Sequence, residues 1–272
     1  MTTPQTGPQH GPRAGAAGTF SPRPGAAPFG RMVLAQASME ARLMLRNGEQ
    51  LLLAVVVPVV VLVAAVAGSD RLSLDLDHPA VDVFTPGVLA LAVMSTSFTA
   101  LAIATGFERR YGVIKRLGSS PLPRSGLLAG KVLALLLVQL LQLVVLSAVA
   151  LGLGWSPEPG VAGVIGVLLI IAAGTAAFAS LGLLVAGALR AEATLAAANL
   201  IYLLLMACGA VVLPATAYGG FEGLVQWLPS GALGEGMRDA LIDGTIAWPA
   251  IAVLLIWTVL GAALSARTFK WE

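Results

Sequence analysis

A dense group of charged residues interrupts an otherwise apolar sequence at FERRYGVIKRLGSSPLP, residues 107–123. Between Glu108 and Arg116, five of the nine residues are charged, whereas only 11% of the whole chain is charged. Such side chains form ion pairs, so they suit either an orientation signal beside a membrane or a surface that docks a soluble partner.

The long apolar stretches lack the residues that catalysis or proton transport requires. No Asp, Glu, Lys, Arg or His lies well inside them, so neither a proton relay nor a nucleophile with its base is expected. The one cysteine, Cys208, excludes an internal disulfide and is predicted to be a buried thiol. His10 and His78 lie in a tail and a loop without further ligands, so no metal site is predicted. Energy for any transport must come from another chain.

Apolar segments of about 20 residues recur along the chain and match the hydrocarbon thickness of a bilayer. Hydrophobic residues make up 57% of the sequence, and runs this long form helices in lipid, because a helix satisfies its own backbone groups. We predict an all-α membrane protein with six transmembrane helices, near residues 50–67, 87–106, 129–153, 161–189, 194–213 and 247–266.

The basic residues predict the orientation of these spans. Fourteen of the sixteen fall before span 1, between spans 2 and 3, between spans 4 and 5 or after span 6, and only Arg71 and Arg238 fall on the other side. Because Lys and Arg concentrate in cytoplasmic loops, both termini are predicted to be cytoplasmic. The excess of Arg over Lys and the Ala, Gly and Val content are typical of a GC-rich bacterial source. We therefore expect a bacterial plasma membrane.

Two segments precede span 1. Residues 1–29, rich in Pro, Gly and Ala, are predicted to be a disordered tail, and the membrane domain occupies residues 30–272. Residues 31–47 predict an amphipathic helix at the inner leaflet, with Arg31, Arg42 and Arg46 within an arc of roughly 60°. Val33, Leu34, Ala37, Ala41, Met44 and Leu45 lie on a different side. The alternative is a short cytoplasmic helix with scattered charges.

The charged stretch also has features of local order. Glu108 to Leu117 contains no Pro and predicts nearly three helical turns, followed by Gly118 as a stop and Pro121 shortly after. Val113, Ile114 and Leu117 share one side of this helix. Five charges would cost on the order of 12–17 kcal/mol at mid-bilayer, so the segment lies outside the hydrocarbon. A docking helix and a plain solvated loop both remain open from the residues alone.

Uncharged polar residues occur within the predicted spans. Ser97 lies in span 2, Gln139 and Gln142 lie three apart on one face of span 3, and Asn199 lies in span 5. Two interpretations stay open: hydrogen bonds between helices, worth about 0.6 kcal/mol each on average, or a weakly polar surface that contacts an amphiphilic cargo.

The charged stretch resembles the first cytoplasmic loop of ABC-2 type permeases, the membrane subunits of ATP-binding-cassette exporters. That loop commonly reads E-R-R-x-G-x-x-x-x-L-x-x-x-P, and Glu108, Arg109, Arg110, Gly112, Leu117 and Pro121 match it. The similarity runs from about Arg31 to the C-terminus. LRNGEQLLLAVVVPVVVL, which enters span 1, is similar to the drug and antibiotic exporter branch.

The resemblance implies a six-span permease whose first cytoplasmic loop carries a coupling helix that docks on a separate ATPase. It also implies a pair of short helices near residues 218–241 and a second permease copy or paralogue. ATP and Mg would bind the ATPase subunit, since this chain has no G-x-x-x-x-G-K-[ST] loop. No cofactor of its own and no nucleic acid is expected. The implied coupling residues are Glu108, Arg109, Arg110, Tyr111, Gly112, Val113, Ile114, Lys115, Arg116, Leu117 and Pro121.

Export of a lipophilic or amphiphilic compound, including an antibiotic, is the function that this resemblance implies, because importer permeases carry a different loop near their C-terminal spans. A membrane scaffold that anchors or regulates an ATPase without transport is the alternative. An integral membrane enzyme is disfavoured by the lack of ionisable groups in the spans.

Overall fold

Helices form almost all of the described structure, because apolar runs of this length satisfy their backbone groups within themselves. The computed structural model describes residues 27–46, 48–72, 78–113 and 123–268, and these ranges contain no strand. The helices are α1 Phe29–Arg46, α2 Gly48–Leu72, α3 Ala80–Arg110, α4 Arg124–Gly152, α5 Gly160–Ala188, α6 Ala191–Cys208, α7 Glu222–Val225, α8 Pro229–Leu241 and α9 Trp248–Thr268.

Five of these helices are long and apolar enough to cross a membrane: α3, α4, α5, α6 and α9. They coincide with predicted spans 2 to 6. A shorter apolar stretch, Ala54–Ser69, lies within α2 at the position of predicted span 1. The all-helical membrane architecture is thus confirmed for the described residues, whereas the sixth span and the orientation of the termini stay predictions.

Helix α3 lies at the centre of the bundle. In its most apolar window 72% of the residues are buried, and it packs against α2, α4, α5, α6 and α8. Residues Ser95–Ala100 form a π-helical turn within it. Phe98 in this turn meets Phe178 of α5 edge to face, with ring centroids 6.4 Å apart. A π-helical turn interrupts the regular ladder and is common at functional positions.

Helix α6 ends five residues before the predicted end of span 5 at residue 213. Its last residue is Cys208, which is exposed rather than buried as the sequence predicted, because α6 ends there. Ala210 takes a positive φ of 53°, which is incompatible with a right-handed helix. Hydropathy alone extends the span through residues 210–213, since these side chains are apolar too.

Helix α8 runs back into the bundle beside α5. A methyl group at Gly174 of α5 would lie 2.6 Å from Leu233, and one at Gly163 would collide with the Ala240 carbonyl, so the two helices are antiparallel. Gly174 lies 14 residues into α5, or about 21 Å at 1.5 Å per residue. The Trp227 carbonyl accepts a hydrogen bond of 2.9 Å from the Trp257 indole, midway along α9. We call residues 209–241 the re-entrant segment, because the chain runs back into the helix bundle there.

Helix α1 packs on the beginning of α4. Its buried residues are Gln36, Ala37, Glu40 and Ala41, and a methyl group at Gly130 of α4 would lie 2.7 Å from Gln36. The helix itself is as predicted, but its inward face is partly polar, while Leu34 and Leu43 are exposed. Arg31, Arg42 and Arg46 are all exposed. The predicted contact with lipid therefore concerns only the face turned away from α4.

Candidate functional site

A lysine joins three helices at the end of the bundle that carries most of the described basic residues. The Lys131 ammonium lies 2.6 Å from Glu108 Oε1 at the end of α3 and 3.1 Å from Glu40 Oε1 of α1. Gln36 donates a further hydrogen bond of 3.0 Å to Glu40. The side chains of Lys131, Glu108 and Glu40 are only 11–18% exposed. We call these three residues the Lys131 cluster; it ties α1 to both ends of the loop 111–123.

The two arginines after Glu108 bind the α5–α6 connection. Arg109 donates hydrogen bonds to the carbonyl oxygens of Ala186 and of Gly187, the latter at 3.0 Å, and so caps the C-terminal end of α5. Arg110 forms an ion pair with Glu192 in the first turn of α6. The segment that is predicted to dock on an ATPase is thus connected through its first three residues, at the end of α3, to four other helices.

The chain turns sharply at Tyr111 and Gly112, so the predicted helix from Glu108 to Leu117 is interrupted at these two residues. Glu108, Arg109 and Arg110 are the last turn of α3, and the Tyr111 ring stacks on Phe107 with centroids 6.2 Å apart. Gly112 has a φ of 66°, a conformation that interrupts a right-handed helix. Val113 follows the turn, while predicted coupling residues Ile114, Lys115, Arg116, Leu117 and Pro121 lie outside the described residues.

The polar residues within the spans are engaged between helices. The Gln142 side chain accepts a hydrogen bond from Thr96 and donates one of 2.9 Å to the Ala54 carbonyl of α2. Gln139 donates to Thr175 of α5 at 3.1 Å. Ser97 is fully buried beside Thr96, and its hydroxyl has no hydrogen-bond partner among the described residues. Gln139 and Gln142 thus make the interhelical bonds that were one of the two interpretations.

Asn199 differs from these residues because it lies on the exposed face of α6. Leu195, Leu200, Leu203 and Leu204 on the same helix are 41–58% exposed. An amide that faced lipid would be poorly solvated, so a polar residue on this face indicates a further protein surface or a wet pathway beside it. The structure does not bring Asn199 together with Ser97, Gln139 or Gln142.

A buried arginine, Arg238, binds several groups within the re-entrant segment. The sequence did not predict this role, because Arg238 was expected in an outer loop. Arg238 is 5% exposed. Its guanidinium donates hydrogen bonds of 3.2 and 2.5 Å to the carbonyls of Val211 and Val212 and one of 3.1 Å to Glu235. Glu235 also accepts a hydrogen bond of 2.6 Å from the backbone amide of Ala215.

The Arg238 contacts satisfy carbonyl groups of the non-helical residues that follow the end of α6. The only sequence signal was a lone basic residue three positions after Glu235 in a Gly-rich stretch. Towards the end of α8, burial and the nearby carboxylates Glu235 and Asp243 raise the pKa of Asp239 above its ordinary value.

The helices and their charged ends define a multi-pass membrane protein whose described residues include no group of three His, Cys, Asp or Glu side chains that could hold a metal ion. Comparison with protein-family models matches residues 72–267 to the family described as ABC-2 family transporter protein. The chain therefore belongs to the ABC-2 transporter family. Neither the curated proteins nor the solved structures gave a match.

Family membership makes this chain the membrane component of an ABC transporter, a class that works with an ABC ATPase subunit and is not itself catalytic. The match begins at Leu72, the last residue of α2, so α1 and the rest of α2 lie outside it. The resemblance described above began earlier, at about Arg31.

Proposed function

We propose that this chain is the permease subunit of an exporter that moves a lipophilic or amphiphilic compound, including an antibiotic, across the bacterial plasma membrane. A separate ATPase, which binds ATP and Mg, supplies the energy. In this proposal both termini are cytoplasmic, and the end of the bundle that carries Arg109 and the Lys131 cluster faces the ATPase.

The Lys131 cluster is the observation that carries this proposal. It connects the end of α3, the beginning of α4 and α1 through one ammonium group. The E-R-R-x-G pattern of the resemblance covers the last turn of α3 and the first two residues of the loop between α3 and α4. A push on this loop would therefore reach α1, α3 and α4 together, and Arg109 and Arg110 would carry it to α5 and α6. A flexible loop that joined helices without such contacts would not transmit the same displacement to them.

The export path lies along the exposed face of α6 in this proposal, where a second permease copy or paralogue completes it. Asn199 lies on that face among leucines. A mildly polar, uncharged surface suits amphiphilic molecules, because it offers one amide without the desolvation cost of a charge. Gln139 and Gln142 are already hydrogen-bonded, so a direct contact with cargo would require these bonds to open.

Transport is tested with proteoliposomes that contain the permease and its ATPase, with rhodamine 6G and a panel of lipophilic dyes as probes. We expect ATP-dependent dye movement that stops when the ATPase is omitted or when a catalytically inactive ATPase replaces it. A complex that hydrolyses ATP but moves none of the probes would contradict export and favour the scaffold alternative.

A further inference from the structure

An open cleft lies where four helix ends meet, beside the first residues of the candidate coupling loop. It is bounded by the last turn of α3, the α5–α6 connection and the last residues of α9, and its volume is about 730 Å³. This volume falls within the roughly 300–1,000 Å³ that small-ligand sites occupy. The proposed export function leaves this cleft without a role.

Positive charge dominates the cleft. Arg109, Arg110, Arg190 and Arg267 line it together with a single carboxylate, Glu192. Glu192 is paired with Arg110, and Arg109 caps α5. Arg190 and Arg267 are exposed and form no ion pair among the described residues. Two guanidinium groups therefore remain for an anion, and guanidinium groups bind phosphate oxygens in pairs of parallel hydrogen bonds.

Apolar surface continues from the cleft along the neighbouring spans. Leu189, 38% exposed, lines the cleft itself. Leu264 lies one turn before Thr268 on α9, and Leu195 lies one turn after Glu192 on α6; they are 47% and 41% exposed. Residues three or four apart share a helix face. The site thus has a charged part at the helix ends and an apolar part along the helices, which is the division between a lipid headgroup and its acyl chains.

We propose that this cleft binds the phosphate group of an anionic phospholipid, with Arg190 and Arg267 as its main ligands. The acyl chains lie along Leu195 and Leu264. A lipid fits better than a free phosphate, because the cleft opens at the ends of helices that are long and apolar enough to span the bilayer, and basic pockets between such helix ends suit anionic headgroups. Since Arg109 and Arg110 form one wall, bound lipid would also stiffen the connection between the coupling loop, α5 and α6.

Native mass spectrometry of the purified full chain tests this proposal by titration with phosphatidylglycerol and, separately, with phosphatidylcholine. We compare the wild type with R190Q/R267Q. Each basic residue near an anionic headgroup contributes about fivefold in affinity, so the double variant should bind phosphatidylglycerol roughly 25-fold more weakly. R190K/R267K keeps the charge and should lose less than the Gln variant, which separates loss of the site from loss of the fold.

The matched control is R13Q/R23Q, which removes the same charge from the predicted disordered tail, residues 1–29. This control should bind phosphatidylglycerol as the wild type does, and inorganic phosphate should not displace the lipid. Equal binding of the two lipids, unchanged binding by R190Q/R267Q, an equal loss in the control, or displacement by inorganic phosphate would each overturn the proposal. The measurement needs neither ATPase nor cargo, so its failure leaves the proposed export function standing.

Discussion

Arg238 shows how a charge can be held inside this bundle at the scale of single residues. Removing a guanidinium from water is costly unless its donors are hydrogen-bonded and its charge is offset. Glu235 supplies the offsetting charge, and the Val211 and Val212 carbonyls accept the other hydrogen bonds. These carbonyls belong to non-helical residues that follow the end of α6 at Cys208, so they have no partner in a regular helix. The contacts of this one side chain thus offset its own buried charge and also give hydrogen bonds to two carbonyls that lie outside a helix.

We expect Arg238→Met to lower the stability of the permease by about 3–5 kcal/mol, because it leaves Glu235 and two carbonyls without their partner. The thermal unfolding midpoint of the detergent-purified chain measures this change. Arg46→Met, at an exposed position, should alter stability by no more than about 0.5 kcal/mol. Equal midpoints for the two variants would contradict the role that we assign to Arg238.

Gly87 allows the close approach that Arg238 needs. A methyl group there would lie 2.6 Å from the Val211 carbonyl oxygen and 2.8 Å from the Arg238 guanidinium. We expect Gly87→Ala to destabilise the chain by about 1–3 kcal/mol through overpacking. Gly68→Ala in α2 is the matched control, because nothing lies within 4 Å of that site, and it should be neutral or stabilising. An equally stable Gly87→Ala would show that the re-entrant segment packs less tightly than described.

At the scale of helices, the Lys131 cluster and the Arg110–Glu192 pair differ in what their removal should do. The former is largely buried, whereas the side chains of the latter are 49% and 63% exposed. Breaking a buried pair leaves an uncompensated charge, while an exposed pair contributes about 0–1 kcal/mol.

Lys131→Met should therefore loosen α1 from the bundle, because Glu40 and Glu108 would then repel each other without the shared ammonium. We expect a fall in stability of about 3 kcal/mol or more and faster hydrogen exchange in α1. Arg110→Met should change stability by less than about 1 kcal/mol and leave exchange in α1 unaltered. Hydrogen exchange with mass spectrometry reports both, and equal protection of α1 in Lys131→Met and the wild type would be incompatible with the cluster's role.

Hydrophobic runs predicted the long helices well, because the thickness of the bilayer sets the length of a span and the apolar run of that length is visible in the sequence. Hydropathy did not predict the end of α6, since residues 210–213 are apolar. The helix ends at its C-cap Gly209, and Arg238, 26 residues after Val212, binds the carbonyl of that residue. Likewise, the inward face of α1 includes Gln36 and Glu40, because Lys131 of a distant helix provides their environment. Helix periodicity reports apolar faces and cannot reveal a polar partner.

For the whole molecule, the five candidate spans leave one face of α6 uncovered. The proposed second permease copy would cover it and give Asn199 a polar neighbour. This proposal rests on the half-transporter architecture that the resemblance implies. The E-R-R-x-G pattern predicted the charged end of the bundle, but its contacts to α1, α5 and α6 became visible only in three dimensions.

Asn199→Leu should weaken association of two permease copies. An interhelical hydrogen bond in membranes contributes about 0.6 kcal/mol on average and at most about 1.7, so the affinity should fall by roughly three- to twentyfold. Leu140→Ala, on an exposed part of α4, is the control and should not change association. Single-molecule photobleaching in vesicles at several protein densities measures the equilibrium, and an unchanged equilibrium for Asn199→Leu would place the partner elsewhere.

We propose that energy enters the permease at the end of α3 and the loop that follows it. The rate of ATP hydrolysis by the reconstituted permease–ATPase complex tests this proposal. In the variant Glu108→Lys/Gly112→Pro, the lysine repels Lys131 and the proline cannot adopt the positive φ of Gly112. With Arg42→Gln as the folded control, we expect the hydrolysis that the wild-type permease stimulates to fall to the rate of the ATPase alone. Full stimulation of the ATPase by the double variant would show that energy does not enter at this position.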